Sequence, residues 1–157
     1  MRDLAGPAHR PYSSSFPVPI PMTDGAVFAF DFGTRRIGVA IGNGVTREAR
    51  PLTTVEAAGS AGPWATLGKL IGDWQPTQLV VGIPLYPDGT PHEMTARCER
   101  FARQLEGRFR LPVERVDERY SSTAAAHADD VDAAAAALIL QQWFDGFDEF
   151  DKRGRNA

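Results

Sequence analysis

Three acidic residues stand where a carboxylate metal site could form, although they are far apart in the chain. Asp31 ends an apolar run, Glu118 ends a predicted strand, and Asp132 opens an alanine-rich segment. Carboxylates that gather in one place raise one another's proton affinity unless a divalent cation lies among them. Hard oxygen ligands suit Mg²⁺ or Mn²⁺, and two such ions can activate water and stabilise the leaving oxygen in phosphodiester cleavage. The three acids therefore indicate the chemistry of a nuclease.

The two acids at strand ends also have ordinary structural explanations, which the local residues leave open. Asp31 is followed by Gly33, so its carboxylate could cap its own turn as well as act in catalysis. Glu118 and Asp117 point to opposite faces of a sheet, so only one of them can join a given cleft. A glutamate at the end of a strand often forms no more than a surface ion pair with an arginine.

The third acid is predicted to face the protein interior. Asp132 shares a helix face with Ala136, Ile139 and Trp143 at offsets of four, seven and eleven residues. An ionised carboxylate on such a face needs hydrogen-bond donors, a helix N-terminus or a cation. An acid that caps the helix or stabilises its first turn is the alternative to a metal ligand. Asp129 lies on much the same face and is a substitute candidate.

The elements that must position these acids follow from the hydrophobic spacing. A turn at Gly33 separates two apolar strands, which predicts a hairpin, and Pro51 places the next strand at a sheet edge. The helix over 93–109 carries Cys98 on its apolar face, so that thiol is predicted to be buried. The predicted strands cover 27–31, 37–41, 47–55, 79–83 and 113–118, and the predicted helices cover 63–74, 93–109 and 132–144. This order predicts an α/β fold with a five-stranded mixed sheet and helices on both faces.

Length and composition limit the class of protein. The chain has 157 residues, a net charge of −3 and one cysteine, which predicts one domain over 24–150 with no internal disulfide. Residues 1–23 contain five prolines and a serine run, so a disordered Pro/Ser-rich tail is expected there, and a short C-terminal tail is expected over 151–157. No apolar run is long enough to span a membrane, so the expected location is the cytoplasm and the expected state a monomer or homodimer.

Four motifs in order resemble one family, the YqgF/RuvX family of candidate pre-16S rRNA nucleases, which are similar to Holliday junction resolvases. The motifs are Asp31-Phe32-Gly33-Thr34-Arg35-Arg36-Ile37-Gly38, Val80-Val81-Gly82-Ile83-Pro84 with Asp88-Gly89-Thr90, Asp117-Glu118-Arg119, and Asp132 with Ala135, Ala136, Ile139 and Leu140. The resemblance implies a ribonuclease H-like fold, catalytic and metal-binding roles for Asp31, Glu118 and Asp132, and Mg²⁺ or Mn²⁺ as cofactor. The chain differs from the family pattern at Tyr86, where the family usually has an asparagine.

Basic residues supply the expected contacts to nucleic acid. Arg35 and Arg36 follow the first acid in a turn and could bind phosphates; with Asp88 and Arg119 they complete the predicted substrate-binding set. The flank formed by Arg97, Arg100 and Arg103 could follow a nucleic-acid backbone or could be ordinary solvated surface.

The resulting hypothesis is a metal-dependent endonuclease that processes the 5′ end of precursor 16S rRNA, with a Holliday junction resolvase as the nearest variant. An ATP-binding module is an alternative, because Asp31-Phe32-Gly33-Thr34 also resembles the phosphate loop of actin-like and sugar kinases. The short segment between Glu118 and Asp132 leaves a non-catalytic binding module as another alternative.

Overall fold

A computed structural model describes residues 24–118 and 131–156, with the side chains of the last helix described as far as residue 147. The predicted tail over 1–23 lies outside this part of the chain, as do Arg119 and Asp129.

One mixed sheet contains the strands of the described part. The spatial order is β3-β2-β1-β4-β5; β1 pairs antiparallel with β2 and parallel with β4, so the predicted hairpin and mixed sheet are confirmed. All six residues of β4 are buried, as expected for a strand covered on both faces. The strands are Ala26–Phe32 (β1), Arg36–Asn43 (β2), Ala49–Glu56 (β3), Gln78–Ile83 (β4) and Val113–Asp117 (β5).

The edge position predicted for the strand with Pro51 is confirmed. β3 pairs with β2 on one side only, and its register shifts between Val39 and Ala40, whose partners are Thr53 and Pro51. The extra residue at this bulge is Leu52. A proline and a bulge are compatible with an edge strand, because neither interrupts hydrogen bonds on two sides.

Helices cover both faces of the sheet, as predicted. α1 (Trp64–Trp74) and α2 (Thr95–Phe109) lie on the face of Phe28 and Phe30, and Cys98 is buried there as expected. α3 (Val131–Asn156) covers the face of Val27 and Ala29. The alternation of side chains along β1 therefore sends one set of residues to each of the two cores.

Two helix boundaries differ from the prediction by two residues or more. α2 begins at Thr95 instead of residue 93, because the preceding residues form a turn in which Thr95 N donates to His92 O. α3 continues to Asn156, so the C-terminal tail predicted from residue 151 is helical up to that point. The polar composition of this segment suggested a tail, but charged residues without an intervening proline are good helix formers. None of the helices in these ranges is long and apolar enough to cross a membrane.

Candidate functional site

Asp31 lies on β1 between two glycines of neighbouring strands. It is paired with Gly38 of β2, and Gly82 lies beside it on β4, because the preceding residues Phe30 and Val81 are partners. Asp31 faces the same side of the sheet as Val27 and Ala29, which pack against α3. The absence of side chains at the two glycines opens the space on both sides of this carboxylate.

Gly38 lets the start of α3 touch the backbone of β2. A Cβ atom at this position would lie 1.8 Å from the carbonyl oxygen of Asp132 and 2.9 Å from the amide nitrogen of Ala133. Real Cβ atoms do not approach backbone atoms so closely, so any other residue would force α3 away. Gly38 therefore places Asp132 next to the strand pair that carries Asp31.

Gly82 makes the corresponding space for Glu118. A Cβ atom here would lie 2.9 Å from Cδ and 3.1 Å from Oε1 of Glu118, and 2.5 Å from Cδ1 of Ile139. The amide of Glu118 donates to the carbonyl of Ile83 at 3.1 Å, which extends the pairing of β4 and β5 beyond the last strand residue. The carboxylate of Glu118 therefore lies over β4, on the face of the sheet that α3 covers.

Asp31 has a clearly raised pKa. Burial, and to a smaller extent the negative charge of Asp132, raise the pKa of Asp31 from 3.8 to about 6. A carboxyl group in this situation is stabilised by protonation or by a cation placed near it. The site therefore has a deficit of positive charge.

Asp132 is less buried than its helix face predicted. Its Oδ2 accepts a hydrogen bond from Nε of Arg36 at 2.9 Å, and the two side chains are 32% and 54% exposed. The other residues of the predicted inward face, Ala136, Ile139 and Trp143, are buried. Asp132 differs from them because the first turn of α3 extends to the rim of the sheet, where Arg36 begins β2.

The donor chemistry of the site suits a hard divalent cation, although the ligands are not gathered around one point. Within residues 24–118 and 131–147, no three His, Cys, Asp or Glu side chains are arranged to hold a metal ion. Asp132 is directed towards Arg36, while Asp31 and Glu118 flank Gly82. The carboxylate oxygens and the raised pKa of Asp31 fit a cation, so metal binding by Asp31, Glu118 and Asp132 stays a prediction.

The predicted substrate-binding residues occupy different surroundings. Arg35 is exposed in the turn after β1, and its carbonyl accepts a hydrogen bond from the amide of Ala57 at 2.8 Å. Asp88 lies in the loop after β4, where its Oδ1 accepts hydrogen bonds from the amide and hydroxyl of Thr90 at 3.0 and 2.7 Å. Asp88 therefore stabilises its own loop.

Behind the acids, α2 contributes a buried thiol. Burial, and after it the charges of Glu118, Asp31 and Glu99, raise the pKa of Cys98 to about 12. Because the thiolate is the reactive form of cysteine, this thiol is chemically inert at neutral pH.

Sequence reasoning missed the two glycines and the partner of Asp132. Gly38 and Gly82 each interrupt an apolar strand, and a glycine inside a strand often marks the close approach of another backbone or side chain. The two glycines could therefore have been identified from the sequence. The ion pair of Asp132 with Arg36 could not, because its members are 96 residues apart and no local pattern connects them.

The comparisons with known proteins agree with the motifs. Residues 25–146 match the RuvX family, described as Holliday junction resolvase. A protein of Paraburkholderia xenovorans (strain LB400) is 49% identical over 134 residues, covering 80% of this chain and 92% of its own. A protein of Burkholderia mallei (strain SAVP1) is 53% identical over 131 residues, covering 78% and 90%. Both are named as candidate pre-16S rRNA nucleases.

A solved structure shows the same fold at low sequence identity. It is RuvC of T. thermophilus in complex with a Holliday junction substrate, with a TM-score of 0.51, 16% identity and coverage of 76% of this chain and 93% of that one. The predicted ribonuclease H-like fold is therefore confirmed.

Proposed function

This chain belongs to the RuvX family, and on that premise we propose that it is a metal-dependent endonuclease that processes the 5′ end of precursor 16S rRNA. The names of the relatives at 49% and 53% identity support this substrate. Because precursor rRNA is processed where ribosomes are assembled, the proposed location is the cytoplasm.

The observation that carries the proposal is the position of Asp31 between Gly38 and Gly82. One glycine admits the backbone of Asp132, and the other admits the carboxylate of Glu118. A side chain at either position would collide with these groups. These close contacts beside Asp31 support a functional role for this end of the sheet, because a chain tends to depart from ordinary strand packing at functional sites.

Each acid has a proposed role in holding Mg²⁺ or Mn²⁺. Asp31 would hold the ion together with Glu118 and Asp132. When bound, the ion would supply an activated water and a positive charge beside the leaving oxygen. Asp31 must be ionised to serve as a ligand, so its pKa of about 6 predicts that metal binding weakens below that pH.

Arginines beside the acids are proposed to hold the substrate. Arg35 and Arg36 are exposed in and after the β1–β2 turn, where guanidinium groups can bind phosphates on either side of the cleaved bond. Asp88 and Arg119 complete the proposed set, Asp88 through the shape of its loop.

Branched DNA is the second candidate substrate. The family description names a Holliday junction resolvase, and the RuvC structure of similar fold contains such a junction. The ATP-binding and non-catalytic alternatives have no comparable support, since nuclease names accompany the relatives that cover most of this chain.

A cleavage assay tests the proposal. Purified protein is incubated with a 5′-extended 16S rRNA fragment or a four-way DNA junction, in Mg²⁺, Mn²⁺ or EDTA. We expect metal-dependent cleavage of the RNA, reduced by about 100-fold or more in Asp31→Asn, because a lost ligand removes several kcal/mol of transition-state stabilisation.

Asp73→Asn is the matched control, because this exposed carboxylate pairs with Lys69 on α1, remote from the acids. It should cleave at the normal rate. Cleavage by Asp31→Asn at the normal rate, or undiminished cleavage in EDTA, would contradict the proposed site. Preferred cleavage of the junction would select the DNA alternative, and ATP binding without cleavage of either substrate would favour the nucleotide-binding one.

A further inference from the structure

The loop after β4, residues 84–94, presents an aromatic side chain to solvent. Tyr86 is 47% exposed, and its ring lies 5.0 Å from the ring of His92, with 48° between the two planes. The buried strand β4 ends directly before this loop. An exposed tyrosine at this place needs an explanation, because the loop could fold with a polar residue there.

Hydrogen bonds within the loop hold the tyrosine in place. The amide of Tyr86 donates to the carbonyl of Thr90 at 2.9 Å, and the amide of Gly89 donates to the carbonyl of Tyr86 at 2.8 Å. Asp88 closes the turn through its two bonds with Thr90, and Leu85 and Pro91 form a bridge. A ligand that binds the ring therefore meets a surface that is already ordered, which saves the entropic cost of fixing it.

Thr95 joins this loop to α2. Its hydroxyl donates to the carbonyl of Pro84 at 2.5 Å and accepts from the amide of His92 at 2.7 Å. The first turn of α2 is thus attached to the loop that carries Tyr86. Exposed residues of that turn lie on the same side of the molecule as the loop.

Three exposed arginines continue from this turn along α2. Arg97, Arg100 and Arg103 are three residues apart on the exposed side of the helix. The acids of the helix do not neutralise them, since Arg115 of β5 binds Glu99 at 3.0 Å and Glu106 at 3.0 Å. The outer face of α2 therefore retains positive charge, even though the chain as a whole has a net charge of −3.

Tyr86 and the first of the arginines lie at the same end of the sheet as the acids. Ile83, the last residue of β4 before the loop, accepts the hydrogen bond of the Glu118 amide. Because β1, β4 and β5 run parallel, Asp31, the loop after β4 and Glu118 all lie at the C-terminal end of these strands, where α2 is also attached to the loop. A nucleic acid bound at this end of the sheet can thus meet both Tyr86 and Arg97.

We propose that Tyr86, Arg97, Arg100 and Arg103 form a binding track for a single-stranded segment of the nucleic acid that this site cleaves. An unpaired base stacks on Tyr86, and the following phosphates bind the arginines. The track favours a single strand because the bases of a duplex are already stacked on one another and cannot offer a face to the ring. This inference rests on the proposed nuclease function and adds the feature of the substrate that is recognised.

Equilibrium binding by Asp31→Asn protein in EDTA tests the track without cleavage. Fluorescence anisotropy would compare a labelled single-stranded RNA with the same sequence closed into a duplex. Changing Tyr86→Ala as well should weaken single-strand binding by about 5- to 100-fold and leave duplex binding unchanged. Tyr86→Phe, which keeps the ring, should bind like the parent. A 2-aminopurine base in the RNA should be quenched by the parent and not by Tyr86→Ala.

The arginines are tested by salt dependence. The triple change Arg97→Gln, Arg100→Gln and Arg103→Gln should reduce the slope of log affinity against log salt by about 2, since each phosphate contact to a single strand contributes about 0.7. Arg50→Gln is the matched control, because this exposed arginine lies on β3 at the other edge of the sheet. Circular dichroism would verify that each variant is folded.

The results separate this inference from the proposed function. Unchanged single-strand binding in Tyr86→Ala, equal loss in Tyr86→Phe, or an unchanged salt slope in the triple variant would overturn the track. If the wild-type protein still cleaved RNA in the metal assay, the endonuclease proposal would stand. Failure of every variant and of the parent to bind any nucleic acid would overturn both.

Discussion

Arg115 and Arg36 each form an ion pair with an acid, and the surroundings of the two pairs differ. Arg115 is 21% exposed and binds two carboxylates, Glu99 and Glu106, together with the carbonyl of Val113. Arg36 is 54% exposed and binds one, that of Asp132. Arg115 joins β5 to α2, whereas Arg36 joins the rim of β2 to the first turn of α3.

The difference separates an ion pair that serves the fold from one that is available for function. The hydrogen bonds to both acids raise the pKa of Arg115 despite the opposing effect of burial, so its interactions are well matched. Near the pair of Arg36 with Asp132, burial and then the charge of Asp132 raise the pKa of Asp31 to about 6. Because the pair of Arg36 and Asp132 is partly exposed, Asp132 can exchange Arg36 for a metal cation, and Arg36 can exchange Asp132 for a phosphate. The clamp, by which we mean Arg115 with Glu99 and Glu106, is more buried and has no such alternative.

The largest expected effect comes from Gly38→Ala, which would separate Asp132 from Arg36 and leave the clamp at Arg115 intact. The new Cβ would lie 1.8 Å from a backbone oxygen of α3, so the free energy of unfolding should fall by about 3 kcal/mol or more. Urea denaturation would measure this. Gly72→Ala on α1, where a Cβ meets nothing within 4 Å, is the control and should not destabilise; equal stability of both variants would contradict this account.

The next effect concerns the charge deficit at Asp31. Because its pKa is raised in the folded protein from 3.8 to about 6, the folded state binds more protons than the unfolded state between these values. Stability should therefore fall as pH rises from about 4 to about 6, by about 2 to 3 kcal/mol in total. Asp31→Asn should remove this dependence, as measured by urea denaturation at a series of pH values.

Metal should reverse that loss. Above pH 6, Mn²⁺ should raise the melting temperature of the parent and leave Asp31→Asn nearly unchanged, because only the parent retains the Asp31 carboxylate. A flat pH profile of the parent between pH 4 and 6 would contradict the electrostatic account of the site.

The smallest effects distinguish the two arginines directly. Arg115→Gln should cost about 1 to 2 kcal/mol of unfolding free energy, because Glu99 and Glu106 lose their partner in a half-buried place. Arg36→Gln should cost less than about 1 kcal/mol and should increase the melting-temperature shift produced by Mn²⁺, since a competing cation is removed. Equal destabilisation with no change in the Mn²⁺ shift would remove the distinction between the pairs.

The sequence predicted much of the fold because the elements carry clear periodic signals. The continuous apolar run of β4 indicated a buried strand, and Pro51 indicated an edge. The apolar spacing on α2 correctly predicted that Cys98 is buried. These features depend on neighbours in sequence, so no long-range information was needed. The predicted end of α3 at residue 144 was wrong, because a polar helix and a polar tail have similar compositions.

The candidate site was harder to predict because it depends on contacts between distant segments. The motifs named Asp31, Glu118 and Asp132 but did not show that Gly38 and Gly82 create the space between them. Segregation of Arg97 from Glu99 on α2 was visible in the sequence, whereas the capture of Glu99 by Arg115 was not. Such pairings require the register of β5 beside β4 and the position of α2, which only the structure supplies.

The bulge in β3 also limits how copies of this protein can assemble. An outer strand that contains a proline and an interrupted register is a poor template for adding a strand from another molecule. Continuous intermolecular sheets, and the aggregates that grow from them, are therefore disfavoured at this margin. A homodimer of this chain should therefore avoid β3 and use helical surfaces or the opposite edge strand, β5.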